Sequence, residues 1–137
     1  MSGPSPERGL LDTSVAIELE SIELTRLPKI SAISSLTLAE LSAGPHAATS
    51  PRERARRQDN LQKIESMLQA LPFDSRCARA YGSVYALVAS AGRKPHGSRA
   101  VDLMIAATAL ANDLPLYTLN ASDLRGLEGL VEVVDLG

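Results

Sequence analysis

The chain has 137 residues, 45% hydrophobic and 22% charged, with 14 basic against 16 acidic groups and a net charge of −2. These are the values of one globular domain, and they exclude a disordered chain and a protein that holds duplex nucleic acid by bulk positive charge. A lone cysteine, Cys77, two histidines that each follow a proline, and four aromatic residues in all exclude an internal disulfide and a cysteine-built zinc site, and poorly suit a histidine-based enzyme or a base-stacking platform.

Residues 1–8 are expected to form a flexible tail and residues 9–137 a single domain. The tail lacks the apolar core of a secretory signal, and no apolar run reaches the ~20 residues that cross a bilayer, so a cytoplasmic protein is expected. Residues 9–11 predict a buried strand ending on Asp12, and residues 14–20 a helix. Residues 30–33 predict a second strand. Ser34-Ser35 then offers a cap for a helix over 36–43, closed by Gly44-Pro45, with a linker over 46–50. Pro51 opens a long helix capped by Ser50, arginine-rich at first, with Ile64, Met67, Leu68 and Leu71 at helical spacing. Residues 71–73 predict a short strand or turn. Asp74 or Ser75 caps the next helix, striped by Ala78, Tyr81, Val84, Tyr85 and Val88 and ended by Ala91-Gly92. A basic loop over 93–97 leads to a nearly all-apolar helix over 99–112. A strand over 116–118, a turn over 122–124 and a strand over 131–134 complete the chain. Helices alternate with strands whose apolar runs are continuous, which predicts an α/β fold around a parallel sheet covered on both faces, with about four or five strands.

In an open parallel sheet, ligands sit at the carboxyl ends of the strands. Asp12 falls there, followed by Thr13 and Ser14, small hydroxyls that can hold a carboxylate; capping of the first helix is the competing role. Glu40 has Leu36, Thr37, Ala43 and Gly44 as its helical neighbours, so no ion pair on its own helix explains it. Asp102 is the one acid in the apolar run Val-Asp-Leu-Met-Ile-Ala-Ala-Thr-Ala-Leu-Ala. Its competing role is to complement the helix dipole from the first turn and to pair with Arg99. Thr118, Asn120, Ser122 and Asp123 follow a strand at the same edge, where a plain turn is the alternative. Carboxylates gathered at one edge repel unless a cation joins them. Oxygen ligands alone suit a hard ion, Mg²⁺ or Mn²⁺, and such an ion serves phosphodiester cleavage.

Three segments, Leu-Leu-Asp-Thr-Ser-Val at 10–15, Ser-Ser-Leu-Thr-Leu-Ala-Glu-Leu at 34–41 and the run from Val101 to Leu124, together resemble the PIN domain, and within it the VapC toxins of bacterial toxin–antitoxin pairs. The resemblance covers nearly the whole chain. It implies a three-layer α/β/α sandwich around a short parallel sheet, Mg²⁺-dependent endoribonuclease activity with Mn²⁺ as substitute, and inhibition by a cognate VapB-type antitoxin. Asp12, Glu40 and Asp102 correspond to the family's first three acids. Asp12 and Asp102 would hold the metal most directly, Glu40 would be a ligand through water or a base that orients the attacking water, and Ser14 and Thr118 would support them. The chain departs at the fourth position: Asn120 stands in the first slot of the family's motif, and Leu124 replaces the aromatic residue after Asp123, so Asn120 and Asp123 both remain candidates.

Arg93, Lys94 and Arg99 precede Asp102 and are expected to contact RNA, whereas Arg52, Arg54, Arg56 and Arg57 read as a solvated face balanced by Glu53 and Asp59. Of Ile17, Leu19, Leu38 and Leu41, on the first two helices, some must face the core and the surplus is expected to offer an apolar groove to the antitoxin, while the helix around Tyr81 and Tyr85 is expected to support a homodimer. A phospho-receiver domain is disfavoured, because it wants an acidic pair after the first strand and a lysine after a late one. A housekeeping RNA-processing nuclease and a non-catalytic PIN-fold binding module remain the alternatives.

Overall fold

The computed structural model of the chain describes residues 7–92 and 98–137. Five strands form one sheet: β1 (Arg8–Leu11), β2 (Ile30–Ser34), β3 (Gln69–Leu71), β4 (Leu116–Thr118) and β5 (Val133–Asp135). Their order is β3-β2-β1-β4-β5, and every pairing is parallel. The chain builds outward from β1 to β3 on one side, then returns to place β4 against the other side of β1. The strand order therefore reverses between β1 and β4, where Leu10 stands opposite Leu116 and Leu11 opposite Tyr117.

Parallel strands need long crossovers, and here these are helices. α1 (Thr13–Ile17), α2 (Ser35–Ala47) and α3 (Pro51–Met67) cover one face; α4 (Ser75–Ser90) and α5 (Ser98–Ala111) cover the other. Successive strand side chains point to opposite faces. Leu10, Ala32 and Leu116 accordingly pack with Val84, Val88, Leu103, Ile105 and Ala106, while Leu11, Ile33 and Tyr117 pack with Val15, Leu61 and Ile64. Both faces are buried, which is why the strands read as unbroken apolar runs. The result is a three-layer α/β/α sandwich. Among the described residues no helix is long and apolar enough to cross a membrane.

Most predicted elements form close to where the sequence puts them, and the departures have local causes. α1 stops at Ile17, where the Glu18 amide bonds the Val15 carbonyl three residues back (3.1 Å), and a separate 3-10 turn follows at Leu19–Ser21, its Ser21 hydroxyl donating to the Glu18 carbonyl (2.8 Å). α2 does not close at Gly44-Pro45 but runs to Ala47. Proline withholds a donor only from the carbonyl one turn back, and the helix's last carbonyls find donors on α3: Arg57 bonds the Gly44 oxygen (2.9 Å) and Arg54 the Pro45 oxygen (3.2 Å). The arginine run is therefore not merely a solvated face. The last strand begins two residues late, since the Val131 amide is spent on the Leu127 carbonyl (2.9 Å). Of the expected tail, residues 1–6 lie outside the described residues, as does the loop over 93–97, and Arg8 already belongs to β1.

Gly9 fits a close approach in β1. A Cβ there would lie 2.6 Å from the Tyr117 ring and 2.9 Å from the Pro28 ring. Tyr117 is buried and cannot swing aside. Gly9→Ala is expected to destabilise the fold by about 1–3 kcal/mol, the usual cost of overpacking, as measured by urea unfolding.

Candidate active site

The reversal point places the end of β1 beside the end of β4. The Asp12 amide bonds the Tyr117 carbonyl (3.0 Å), so Asp12 and the 118–123 segment share one edge. α5 brings Asp102 to the same place. Asp12, Asp102, Asp123, Ser14, Thr118 and Asn120 line one small cleft of about 70 Å³, floored by Leu116 and Leu124. A space of that size takes an ion with water, not a cofactor.

Each side chain is held by local rules. Asp12 does cap α1, its Oδ1 accepting the Val15 amide (3.1 Å), and the same oxygen also accepts the Ser14 hydroxyl (2.6 Å). Capping and cleft-lining are thus one arrangement rather than rivals. The Ser14 hydroxyl in turn accepts the Leu119 amide (3.1 Å), tying α1 to the chain leaving β4. Thr118 is fully buried and accepts the Asn120 amide (2.9 Å), which fixes the turn carrying Asn120 and Asp123. Ala121–Leu124 is a 3-10 turn in which the Asn120 side chain makes no cap, and Leu124 packs into the core where the aromatic was missing.

Asp102 is half-buried and lies one turn inside α5, which starts at Ser98 and has no acid in its first turn. The helix-dipole reading is corrected accordingly. Burial, then the charges of Glu40, Asp12 and Asp123, push its carboxyl up to about 6, and Arg99 opposes them weakly. Arg99 therefore acts on the acid at a distance. Of the three expected RNA contacts only Arg99 can be located, since Arg93 and Lys94 lie outside the described residues.

Glu40 stands apart. It is exposed on α2 and lines the neighbouring cavity, although its charge reaches Asp102. The Thr13 hydroxyl donates to its Oε1 (2.6 Å) and contacts the Thr37 hydroxyl (3.0 Å). Thr13 has one proton and gives it to Glu40, so the buried Thr37 donates to Thr13. The sequence names Thr37 only as a helical neighbour of Glu40 and gives it no role; the three-residue spacing that puts both on one helix face is the signal that it could donate toward Glu40. Of the expected apolar groove, only Ile17 is exposed (47%); Leu41 is buried at 8%, and Leu19 and Leu38 are half-buried.

A PIN domain family model matches residues 9–125. The chain belongs to the PIN domain family. Ribonuclease VapC5 of Mycobacterium tuberculosis is 36% identical to this PIN domain over 132 residues, 94% of either chain. The crystal structure of VapBC-5, a member of the VapBC family of toxin-antitoxin systems from M. tuberculosis, is similar at a TM-score of 0.81 and 34% identity, covering 96% of this chain and 100% of that one. DNA-bound VapBC from Salmonella typhimurium is similar at a TM-score of 0.69 and 28% identity, covering 95% and 98%.

The raised Asp102 carboxyl has a pH signature. Without a cation the folded state holds this proton more tightly than the unfolded chain, so the stabilisation it brings is present below about pH 4 and lost as pH rises through about 6. In chelator, Asp102→Asn is expected to unfold at a higher temperature than the parent at pH 7, with the gap shrinking toward pH 5. Thermal melts at both pH values check this.

Proposed function

We propose that residues 9–137 form a single nuclease domain, and that the protein is a Mg²⁺-dependent endoribonuclease acting in the cytoplasm as the toxin of a toxin–antitoxin pair, restrained by a VapB-type antitoxin. The observation that carries this reading is the gathering of Asp12, Asp102 and Asp123 in one cleft at the reversal point of a parallel sheet, with the Glu40 charge within reach. The similarity to a VapC ribonuclease and to VapBC complexes supports the substrate, the partner and the need for a metal.

The donors fit Mg²⁺. All are oxygens, and among the described residues no group of three Asp, Glu, His or Cys side chains is arranged to hold an ion by itself. Mg²⁺ is the hard cation that keeps several waters and needs only one or two carboxylates, whereas a caging ion such as Ca²⁺ wants more. When bound, Mg²⁺ neutralises charge on the phosphodiester and makes nearby water more acidic.

Asp12 and Asp102 are assigned as the ligands, and Mn²⁺ as the substitute ion. With its Oδ1 engaged by Ser14 and Val15, Asp12 offers Oδ2. Glu40 is assigned to accept a proton from the attacking water. Thr13 holds its Oε1, which leaves the second oxygen for that task. Asp123, whose charge is felt at Asp102, is assigned as the fourth acid in preference to Asn120. Asn120 and Thr118 shape the turn. Tyr85, exposed on α4 beside Tyr81 (ring centroids 6.2 Å apart), is assigned to a homodimer contact.

Two outcomes test this reading. RNA cleavage is expected with Mg²⁺ or Mn²⁺ and absent in excess chelator; full activity in chelator refutes the metal mechanism. Asp12→Asn and Asp102→Asn are each expected to lower cleavage at least a hundredfold while the protein stays folded by circular dichroism, since one charge that the cation needs is gone.

A further inference from the structure

Beyond Glu40, on the side away from the acidic cleft, a second cavity of about 350 Å³ opens between α1, α2 and α3. It falls within the range of ligand pockets, about 300–1,000 Å³, whereas the cleft itself admits only an ion and water. Thr13 and Glu40 form its near wall, Ile17 and Leu41 supply apolar surface, and Arg56, Arg57 and Asn60 face them from α3. Glu40 lines this cavity and not the cleft, although its charge reaches Asp102, and the two sites differ in character. One is a cluster of carboxylates; the other carries two guanidiniums.

Those guanidiniums are held by a carboxylate. Glu53 accepts from Arg56 through both oxygens (2.6 and 3.0 Å) and from Arg57 through one (3.1 Å). Arg57 is further fixed on the Gly44 carbonyl. A planar oxyanion bridging two guanidinium forks is the arrangement that a phosphate also takes. Glu53 and, on the facing wall, Glu40 together balance the two arginines, so a phosphate arriving beside a site proposed to cut a polyanion has to take the place of Glu53.

We propose that this cavity is a nucleotide subsite for the RNA residue adjoining the scissile phosphate. That residue's own phosphate lies on Arg56 and Arg57 in place of Glu53, its base lies against Ile17 and Leu41, and Asn60 hydrogen-bonds the base edge or the ribose hydroxyl. The proposal rests on the nuclease reading above and adds a strand-positioning element on the opposite side of Glu40. Glu53 competes with the substrate for the arginines, so removing its charge and removing an arginine have opposite effects.

The test uses the full chain and a short fluorescein-labelled single-stranded RNA of mixed sequence, in chelator so that it stays intact, with affinity measured by anisotropy across a salt series. Arg56→Gln is expected to weaken binding about tenfold at low salt and to make the plot of log affinity against log salt shallower by about 0.7, the value of one single-strand phosphate contact. Glu53→Gln keeps an N3 side chain suited to the start of α3, and it is expected to tighten binding and steepen the slope. Equal slopes in all three proteins, with Mg²⁺-dependent cleavage by the parent intact, overturn the subsite and leave the nuclease reading standing. Losses of binding in both variants also overturn it, as mere disruption of α3. RNA affinity unchanged while an acidic peptide responds to both substitutions overturns it in favour of a protein ligand. A parent that neither binds nor cuts RNA defeats both readings.

Discussion

The parallel pairing of β1 with β4 is the constraint on which the rest depends. It is set by a few backbone bonds, including the Asp12 amide on the Tyr117 carbonyl, and by Leu10 and Leu11 standing opposite Leu116 and Tyr117. Because β2 and β3 lie on the far side of β1, this seam is where the strand order reverses and where strand ends open into a crevice. Residues more than a hundred positions apart meet there. The Ser14 hydroxyl links the two sides, giving to Asp12 and accepting from the Leu119 amide.

What the seam gathers is electrostatically unfavourable. Asp102 is the most strongly affected, since it is half-buried and feels three other acids, and its carboxyl rises to about 6. A folded protein does not keep such a cluster for stability, because every like charge adds to the cost of ionising the others. A cation bound among these carboxylates would offset that cost.

The arginines of α3 do two jobs with the same chemistry. Arg54 and Arg57 supply donors to the last carbonyls of α2, which lets that helix pass through Gly44 and Pro45 and continue to Ala47. Arg56 and Arg57 close on Glu53, and the pair of cations holds its carboxyl down at about 2. These contacts orient α3 against α2 and set a basic wall facing Glu40. Glu40 itself is steadied from the other direction by the Thr37 and Thr13 hydroxyls, a chain of donors that begins in the core.

The sequence by itself determined the alternation of strands and helices, the burial of both sheet faces and which acids were candidates for the site. Unbroken apolar runs such as Leu10-Leu11, and a helix apolar all round except at Asp102, carry that information locally, in side-chain pattern alone. Caps were equally legible: Ser50 before Pro51 and Asp74 before Ser75 bond the amides three residues on, as their types require. Tertiary structure decided what local pattern cannot encode. Gly44-Pro45 reads as a stop, yet the donors that allow α2 to continue come from another helix. Asp12 reads as a cap or a site residue, and only the approach of β4 lets it cap α1 and line the cleft at once. Glu40 reads as belonging with the other acids, whereas the fold sets it on the wall of a separate cavity opposite Arg56 and Arg57. In each case the deciding partner is distant in sequence, and its position depends on the order in which the strands assemble.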